Sequence, residues 1–244
     1  MPLFTEPTFR YGGDRAVFVE VGDEISPEVN RSIRHLLNAI DSANIPGLQA
    51  LAPTYRSILV YYDPLTAGVD DLQQRISDLY ADLQDADLGA YRVVEIPTLY
   101  GGEYGPDIDF VASHNGLTED EVIEIHTGSD YLVYMVGFNP GFPYLGGMSE
   151  KIATPRLPTP RVRMVPGSVG IAERQTGIYP LASPGGWRVI GRSPIRMFDS
   201  GREPPSLVQA GDLVRFTSID EARYREIEAE VESRKFKVTI RDVG

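Results

Sequence analysis

The feature that most constrains the fold is the stretch from Tyr131 to Pro194, which is rich in both glycine and proline. Proline fixes φ and has no backbone N–H, and glycine weakens an ordered strand, so both are disfavoured inside sheets. Short apolar runs separated by these residues therefore predict many short strands joined by shaped loops, as in a β-barrel or a β-sandwich. Because loops on a rigid scaffold commonly carry binding and catalytic residues, we expect the functional site in this stretch.

The first hundred residues predict a different kind of layer. Ser26-Pro27 has the cap and first-turn proline of a helix start, and a second amphipathic helix follows near residues 70–83. The predicted strands are Ala16–Val21, Leu48–Ala52, Tyr55–Asp63 and Tyr91–Ile96. This βαββαβ order is that of a ferredoxin-like α+β layer, with two helices on one face of a four-stranded antiparallel sheet.

The remaining elements complete a predicted α+β fold of two domains. A short helix is expected over Asp107–Asn115, a second one opens with the capping box at Thr118–Glu121, and a charged helix runs from about Ile219 to Ser233. A last strand is predicted at Phe236–Ile240. We expect an N-terminal α+β domain over residues 1–95 and a β-barrel domain over residues 96–244.

Composition excludes several classes of protein. The 244 residues include 35 acidic and 23 basic side chains and no cysteine. The net charge of −12 argues against nucleic-acid binding, and the lack of cysteine removes disulfides and thiolate nucleophiles. No apolar run approaches the roughly 18 residues that a membrane span needs, and the first residues lack the pattern of a secretory signal. We therefore expect a soluble cytoplasmic protein without membrane or nucleic-acid partners.

The familiar catalytic constellations do not occur in the sequence. The three histidines, His35, His114 and His126, lack the spacing of a zinc motif, so no metal site is predicted. Neither a G-x-S-x-G elbow nor a G-x-x-x-x-G-K-[ST] phosphate loop is present. A self-contained serine hydrolase or P-loop ATPase is therefore disfavoured.

Basic side chains are concentrated in the Gly/Pro-rich stretch, where acids are few. The arginines among them are Arg156, Arg161, Arg163, Arg174, Arg188, Arg192 and, just beyond the stretch, Arg196. A locally cationic segment in an acidic protein suits a small anionic ligand, although the same arginines could form surface ion pairs and strand ends. Arg156 and Arg161 lie on the proline-stiffened segment TPRLPTPR, and guanidinium groups bind carboxylate or phosphate bidentately, so we select these two as catalytic candidates.

Two further segments supply polar groups. In GFNPGFPYLGG, Gly137–Gly147, the turns around Asn139 and Gly141 could expose backbone N–H groups to an oxyanion, while Phe142 could instead plug a barrel end. The later candidates offer neutral hydrogen-bonding groups that could orient an amide or lactam. They are Ser168, Gln175, Thr176 and Tyr179.

Several ordered motifs together resemble one known family, that of allophanate hydrolase subunit 1, whose members act as the B component of bacterial ATP-dependent 5-oxoprolinases. The motifs are GFNPGFPYLGG, ATPRLPTPR, GSVGIA, QTGIYP and SPGGWRVIGRSP, with YGGDRA and YGGEYGPD before them. The resemblance implies a cyclophilin-like barrel after the N-terminal α+β domain. It also implies cleavage of 5-oxo-L-proline to L-glutamate with ATP hydrolysis, carried out with the A and C components of the same enzyme.

Within this resemblance we assign roles to the candidate residues. Arg156 and Arg161 would bind carboxylate or phosphate, while Ser168, Gln175 and Tyr179 would orient the lactam. Gln175 and Tyr179 join the two arginines as catalytic candidates. Asn139, Gly141, Phe142 and Thr176 would bind substrate. ATP, with Mg²⁺, would be bound by the assembled complex. Two alternatives come from relatives: a regulatory protein that inhibits a histidine kinase, and a urea-carboxylase-type carboxyltransferase subunit.

Overall fold

The computed structural model describes residues 3–83 and 91–243. Its backbone contacts group into two compact units, Met1–Gly89 and Ala90–Gly244. The fold class predicted from the sequence is confirmed, since the first unit is an antiparallel sheet with helices and the second is a nearly closed mixed barrel. Within the described residues, no helix is long and apolar enough to span a membrane.

The N-terminal unit contains four strands and two helices. These are β1 (Leu3–Tyr11), β2 (Ala16–Gly22), α1 (Pro27–Ser42), β3 (Leu48–Pro53), β4 (Ser57–Tyr62) and α2 (Val69–Asp82). The sheet order is β1-β2-β4-β3, and all neighbouring strands are antiparallel. The predicted start of α1 is confirmed, because the Ser26 hydroxyl accepts a hydrogen bond from the Val29 N–H over 3.2 Å.

The predicted strand order was wrong at one place. The elements run ββαββα, and β1 takes the sheet edge beside β2 that a fourth strand after α2 holds in a ferredoxin-like layer. Strand β1 contains Pro7 and a register shift between Leu3 and Thr8. Proline is tolerated on an edge strand, where one side of the strand forms no ladder hydrogen bonds. Because proline usually argues against a strand, the sequence analysis did not predict β1.

The second unit is built around strands that close on themselves. Its strands are β5 (Tyr91–Tyr100), β6 (Tyr131–Val136), β7 (Pro143–Gly146), β8 (Arg161–Met164), β9 (Ser168–Ala172), β10 (Gln175–Ile178), β11 (Ser183–Gly185), β12 (Arg188–Arg192), β13 (Leu213–Ser218) and β14 (Ile240–Val243). The main sheet has the order β10-β9-β12-β5-β13-β6-β7, with β14 also paired to β5. Because β7 and β10 approach each other again, the sheet forms a nearly closed barrel.

Strand β5 organises this barrel. It pairs parallel with β13, antiparallel with β14 and, through Leu99 and Tyr100, antiparallel with β12. Tyr91–Ile96 is therefore a barrel strand and not the fourth strand of the N-terminal sheet. Since β5 runs through residue 95, we propose a domain boundary just before Tyr91 in place of the predicted divide between residues 95 and 96.

The described part of the second unit also contains three α-helices and a short 3-10 helix. They are α3 (Ile108–Asn115), α4 (Glu119–Thr127) and α5 (Glu221–Glu232), with a short 3-10 helix at Glu150–Ile152. The two predicted caps are confirmed: Gly116 ends α3 with a φ of 66°, and Thr118 and Glu121 form a reciprocal capping box. The last strand, in contrast, starts at Ile240, four residues after the predicted position.

Ile96 tests whether β5 carries the barrel core. Its side chain is fully buried and its Cα lies opposite that of Phe216 in β13. We expect Ile96→Ala to lower the free energy of unfolding of the barrel by about 2–5 kcal/mol because it leaves a cavity, and the matched Ile96→Val by about 0.5–1.5 kcal/mol. Urea denaturation measures both variants. Equal urea midpoints for wild type and Ile96→Ala would contradict the inference that β5 contributes to the barrel core.

Candidate functional site

A cavity of about 330 Å³ opens on the barrel unit within the Gly/Pro-rich stretch. It is lined by Phe138, Phe142, Tyr144, Arg156, Pro160, Gln175, Tyr179, Pro184, Gly185, Gly186 and Trp187. Four of the sequence-predicted site residues are therefore brought together here, Arg156, Gln175, Tyr179 and Phe142. The stretch between Tyr131 and Pro194 supplies the whole described lining.

Aromatic rings form the wall of this cavity. Phe142 lies at its centre, with edge-to-face contacts to Tyr144, Tyr179 and Trp187 at centroid distances of 5.4, 5.5 and 5.8 Å. Phe138 is mostly exposed and meets the edge of Phe142 from the rim. Edge-to-face packing fixes the ring orientations, so the wall is rigid and apolar.

Gly185 makes room for the polar end of the cavity. A Cβ atom at this position would come within 2.5 Å of the Tyr179 hydroxyl oxygen and 2.6 Å of the Met164 Cγ. Any other residue would therefore displace the Tyr179 hydroxyl or Met164. Close packing of β11 against Tyr179 thus explains the glycine at position 185.

The guanidinium of Arg156 lies over the Trp187 ring, with Cζ 6.0 Å from the ring centroid. Its backbone segment is held on both sides: Thr154 and Glu173 exchange two backbone hydrogen bonds, and the Leu157 N–H donates to the Gly186 oxygen over 2.7 Å. Among the described residues, no carboxylate oxygen lies within 4.0 Å of this guanidinium. Arg156 is therefore an anchored cation available to an anionic ligand.

Tyr179 and Gln175 are two neutral polar residues of the cavity lining. Burial raises the pKa of Tyr179 to about 12, and the nearby positive charge of Arg156 acts in the opposite direction with smaller effect. The phenol is thus protonated at neutral pH and can donate or accept a hydrogen bond. Gln175 begins β10, opposite Ala172 of β9, and its side chain reaches the same cavity.

Arg161 has a different environment from Arg156. Its guanidinium forms a bidentate pair with the Asp107 carboxylate, at 2.9 Å for each of the two N–O distances. Asp107 is buried and also accepts the Val189 backbone N–H over 2.6 Å. Arg161 Nη1 further donates to the Trp187 carbonyl over 3.4 Å. This arginine is therefore engaged in holding β8 and β12 together and does not line the cavity.

Thr176 and Ser168 are also outside the cavity lining. Both side chains are buried in the barrel, and Ser168 pairs through its backbone with Val165 and Tyr179. Thr176 donates a hydrogen bond to the Gly170 carbonyl over 3.1 Å. Its hydroxyl oxygen lies 2.7 Å from Nε2 of His126.

His126 is the centre of a buried hydrogen-bond chain that the sequence did not reveal. Because Thr176 donates its only proton to Gly170, Nε2 of His126 carries the proton between them, and Nδ1 accepts from the Tyr100 hydroxyl over 2.8 Å. Complete burial lowers the pKa of His126 to about 3. The imidazole is thus neutral and structural at physiological pH.

In the loop that contains Asn139 and Gly141, backbone N–H groups form hydrogen bonds within the loop itself. The N–H groups of Gly137, Asn139 and Phe142 donate to the carbonyls of Phe142, Gly137 and Asn139, so these three are not free to form the predicted oxyanion nest. Gly141 has a φ of 81° and packs closely against the residue pair Met197–Phe198. Asn139 and Gly141 support the loop behind Phe142 but do not line the cavity.

Trp187 is a cavity residue to which the sequence analysis assigned no role. It is the only tryptophan of the chain, is 8% exposed and makes edge-to-face contacts with Phe142 and Tyr179. The signal that could have identified it is its position directly after the turn-forming residues Pro184-Gly185-Gly186 within the Gly/Pro-rich stretch. Among the described residues, no group of three or more His, Cys, Asp or Glu side chains is arranged to hold a metal ion.

The chain matches known proteins over most of its length. Residues 7–208 match the family described as carboxyltransferase domain, subdomain C and D. The chain is 41% identical over 226 residues to the B component of 5-oxoprolinase from Bacillus subtilis, and the match covers 87% of this chain and 92% of that protein. It is therefore a homologue of the 5-oxoprolinase B component.

Solved structures show the same similarity. A conserved uncharacterized protein of Pyrococcus horikoshii is 48% identical with a TM-score of 0.53, covering 89% of this chain and 100% of that chain. The urea amidolyase of K. lactis has a TM-score of 0.79 at 20% identity, covering 99% of this chain and 17% of that chain. The second likeness shows the fold alone.

The assignment of Arg161 to structure can be tested by its effect on stability. We expect Arg161→Ala to lower the free energy of unfolding by about 3 kcal/mol, because it leaves the buried Asp107 carboxylate without its counterion. Arg163→Ala, on the exposed part of the same strand, is the matched control and should change stability by less than about 0.5 kcal/mol. Chemical denaturation compares the two. Equal free energies of unfolding for the two variants would contradict the structural role of Arg161 and leave it as a candidate for ligand binding.

The lowered pKa of His126 predicts a pH dependence of stability. Because the folded state disfavours the protonated imidazole, this residue contributes stability that is fully present above its unfolded pKa of about 6.5 and is lost as the pH falls toward about 3. Between these values, wild type should lose up to about 1.4 kcal/mol per pH unit more than His126→Gln. Urea denaturation from pH 7 to pH 4 measures the difference. Parallel curves for the two proteins would contradict a neutral buried imidazole.

Proposed function

This chain belongs to the family of carboxyltransferase domains, subdomains C and D, and we propose that it acts as the B component of an ATP-dependent 5-oxoprolinase. The enzyme would cleave 5-oxo-L-proline to L-glutamate, with ATP hydrolysed to ADP and phosphate, in a complex with the A and C components. The similarity to the 5-oxoprolinase B component over most of both chains supports this assignment. We also propose a cytoplasmic location, where such a complex would meet ATP.

One observation supports the proposal at the level of residues: the Arg156 guanidinium, which has no carboxylate partner among the described residues, lies at a cavity lined by aromatic rings and neutral polar groups. The substrate 5-oxoproline has the matching chemistry, since it joins one carboxylate to a small ring with a neutral amide. We assign its carboxylate to Arg156 and its lactam amide to Gln175 and the Tyr179 hydroxyl. The carbon atoms of its ring would lie against Trp187 and Phe142.

The composition of the cavity supports the proposal that partner subunits complete the active site. Its described lining contains no histidine, lysine or carboxylate, and the pKa of Tyr179 is raised to about 12 by burial. These residues can bind and orient a lactam but offer no general base near neutral pH. We therefore assign activation of the attacking water to the A and C components.

ATP is assigned to the assembled complex and not to this cavity. A triphosphate with Mg²⁺ calls for several cationic or backbone donors and for a carboxylate that helps to hold the metal. The described lining offers a single guanidinium and no carboxylate. Opening an unstrained lactam is slow or uphill in water, which accounts for the coupling to ATP hydrolysis.

We test the proposal with Arg156 in the complex assembled with the A and C components. Arg156→Ala should lower kcat/KM for 5-oxoproline by about 100-fold, because the substrate carboxylate loses a charge-assisted pair of hydrogen bonds. Arg156→Lys keeps the positive charge but loses the bidentate geometry. Its kcat/KM should therefore lie between those of wild type and Arg156→Ala. The measurement is 5-oxoproline-dependent release of glutamate and of ADP.

Arg174→Ala is the matched control for this experiment. Arg174 lies on the neighbouring β9–β10 turn, is exposed and pairs with the exposed Glu150, so its removal should leave activity within about twofold of wild type. Co-purification of all three components confirms that each variant assembles. Full activity of Arg156→Ala in an intact complex would contradict the proposal that this cavity binds the substrate. A wild-type complex without 5-oxoproline-dependent ATP hydrolysis would refute the function itself.

A further inference from the structure

A second cleft of the barrel unit collects positive charge in an otherwise acidic protein. It has a volume of about 260 Å³ and is lined by Ile195, Arg196, Asp199, Gly201, Arg202, Val231, Arg234, Phe236 and Val238. It shares no lining residue with the aromatic cavity described above. The chain as a whole carries a net charge of −12, so three guanidinium groups around one cleft are a local reversal of its charge.

The three arginines are not equivalent. Arg202 has a structural role. Its guanidinium donates hydrogen bonds at 2.8–3.3 Å to the carbonyls of Arg196, Met197, Pro204 and Pro205. These hydrogen bonds fix the loop that carries the cleft. All four of these acceptors are neutral, and burial lowers the pKa of Arg202. The positive charge of Arg202 therefore adds to the field in the cleft, since no carboxylate oxygen among the described residues lies within 4.0 Å of its guanidinium.

Arg196 and Arg234 are the exposed cations of the cleft. Among the described residues, neither has a carboxylate oxygen within 4.0 Å. The Arg234 guanidinium lies against Gly201, where an added Cβ would be 3.2 Å from Nη2. The absence of a side chain at Gly201 thus leaves this guanidinium room at the cleft.

Asp199 is the one carboxylate of the described lining, and it does not neutralise the cleft. Its Oδ1 accepts the Gly201 N–H over 2.9 Å, and this hydrogen bond together with the three arginines lowers the pKa of Asp199. Three guanidinium charges against one carboxylate leave an excess of two positive charges. One phosphate group, with a charge of roughly −1.5 to −2 at neutral pH, matches that excess.

We propose that this cleft binds the phosphate group of a small phosphate-bearing ligand, with Arg196 and Arg234 as its direct ligands and Arg202 as the fixed charge behind them. Arginine is well suited to phosphate because its planar fork matches two oxygens at once. Val231, Phe236 and Val238 give the lining an apolar part that can cover the organic part of a phosphate ester. The cleft thus gives this chain an anion site separate from the lactam cavity.

Isothermal titration calorimetry of the full chain at low ionic strength tests this site, with inorganic phosphate, AMP and ATP as three separate probes. We expect submillimolar binding that weakens as salt is added. Arg196→Ala and Arg234→Ala should each weaken it by about tenfold. Arg225→Ala is the matched control and should bind as wild type does, since Arg225 is exposed on α5 and paired with Glu221. The thermal unfolding temperature of each variant confirms that it is folded.

The three probes also identify the source of the phosphate. Equal affinities would indicate free phosphate, and tighter binding of AMP or ATP would indicate a phosphate ester whose organic part contacts the apolar part of the lining. Absence of binding by all three probes at 5 mM, on the order of ten times the expected dissociation constant, would overturn the proposal. Binding that both arginine variants retain unchanged would overturn it as well. The assay contains neither 5-oxoproline nor the other components of the enzyme, so its result is independent of the proposed enzymatic function.

Discussion

The buried Asp107 carboxylate is the interaction on which the described barrel site depends. It precedes α3 and joins three separate parts of the chain, because it accepts the Val189 N–H of β12 and both guanidinium branches of Arg161 from β8. Arg161 in turn donates to the carbonyl of Trp187. A buried charge needs a paired and hydrogen-bonded partner, so this carboxylate fixes the strands that carry it and, with them, the aromatic wall of the cavity.

This arrangement separates the arginines of the barrel into two groups. Arg161 and Arg202 have their donors directed at protein acceptors and hold loops and strands in place. Arg156, Arg196 and Arg234 line clefts, and among the described residues no carboxylate oxygen lies within 4.0 Å of any of their three guanidinium groups. Because an unpaired guanidinium at a concave surface is available to an anion, the second group indicates two ligand sites: one with aromatic walls and one with an excess of positive charge.

The two sites suit different chemistries. The aromatic cavity presents one cation and neutral hydrogen-bonding groups, which fits a small monocarboxylate with an amide. The arginine cleft presents an excess of two charges and an apolar part of its lining, which fits a phosphate. The described lining of the aromatic cavity contains no histidine, lysine or carboxylate, so it offers no base that works at neutral pH. Function in a multi-subunit enzyme is consistent with this incompleteness.

The sequence by itself determined the class of fold, the helix caps and the segment that forms the cavity. Glycine and proline act through local backbone geometry, so their density between Tyr131 and Pro194 was sufficient to predict short strands and shaped loops. Local patterns could not show that β1 would replace Tyr91–Ile96 at the edge of the first sheet, since strand pairing joins distant residues. They also could not distinguish Arg156 from Arg161, which are only five residues apart in the same proline-rich segment. Only the tertiary structure placed a buried carboxylate next to one and an open aromatic cavity next to the other, because the partner of a charge is set by packing and not by its neighbours in the chain.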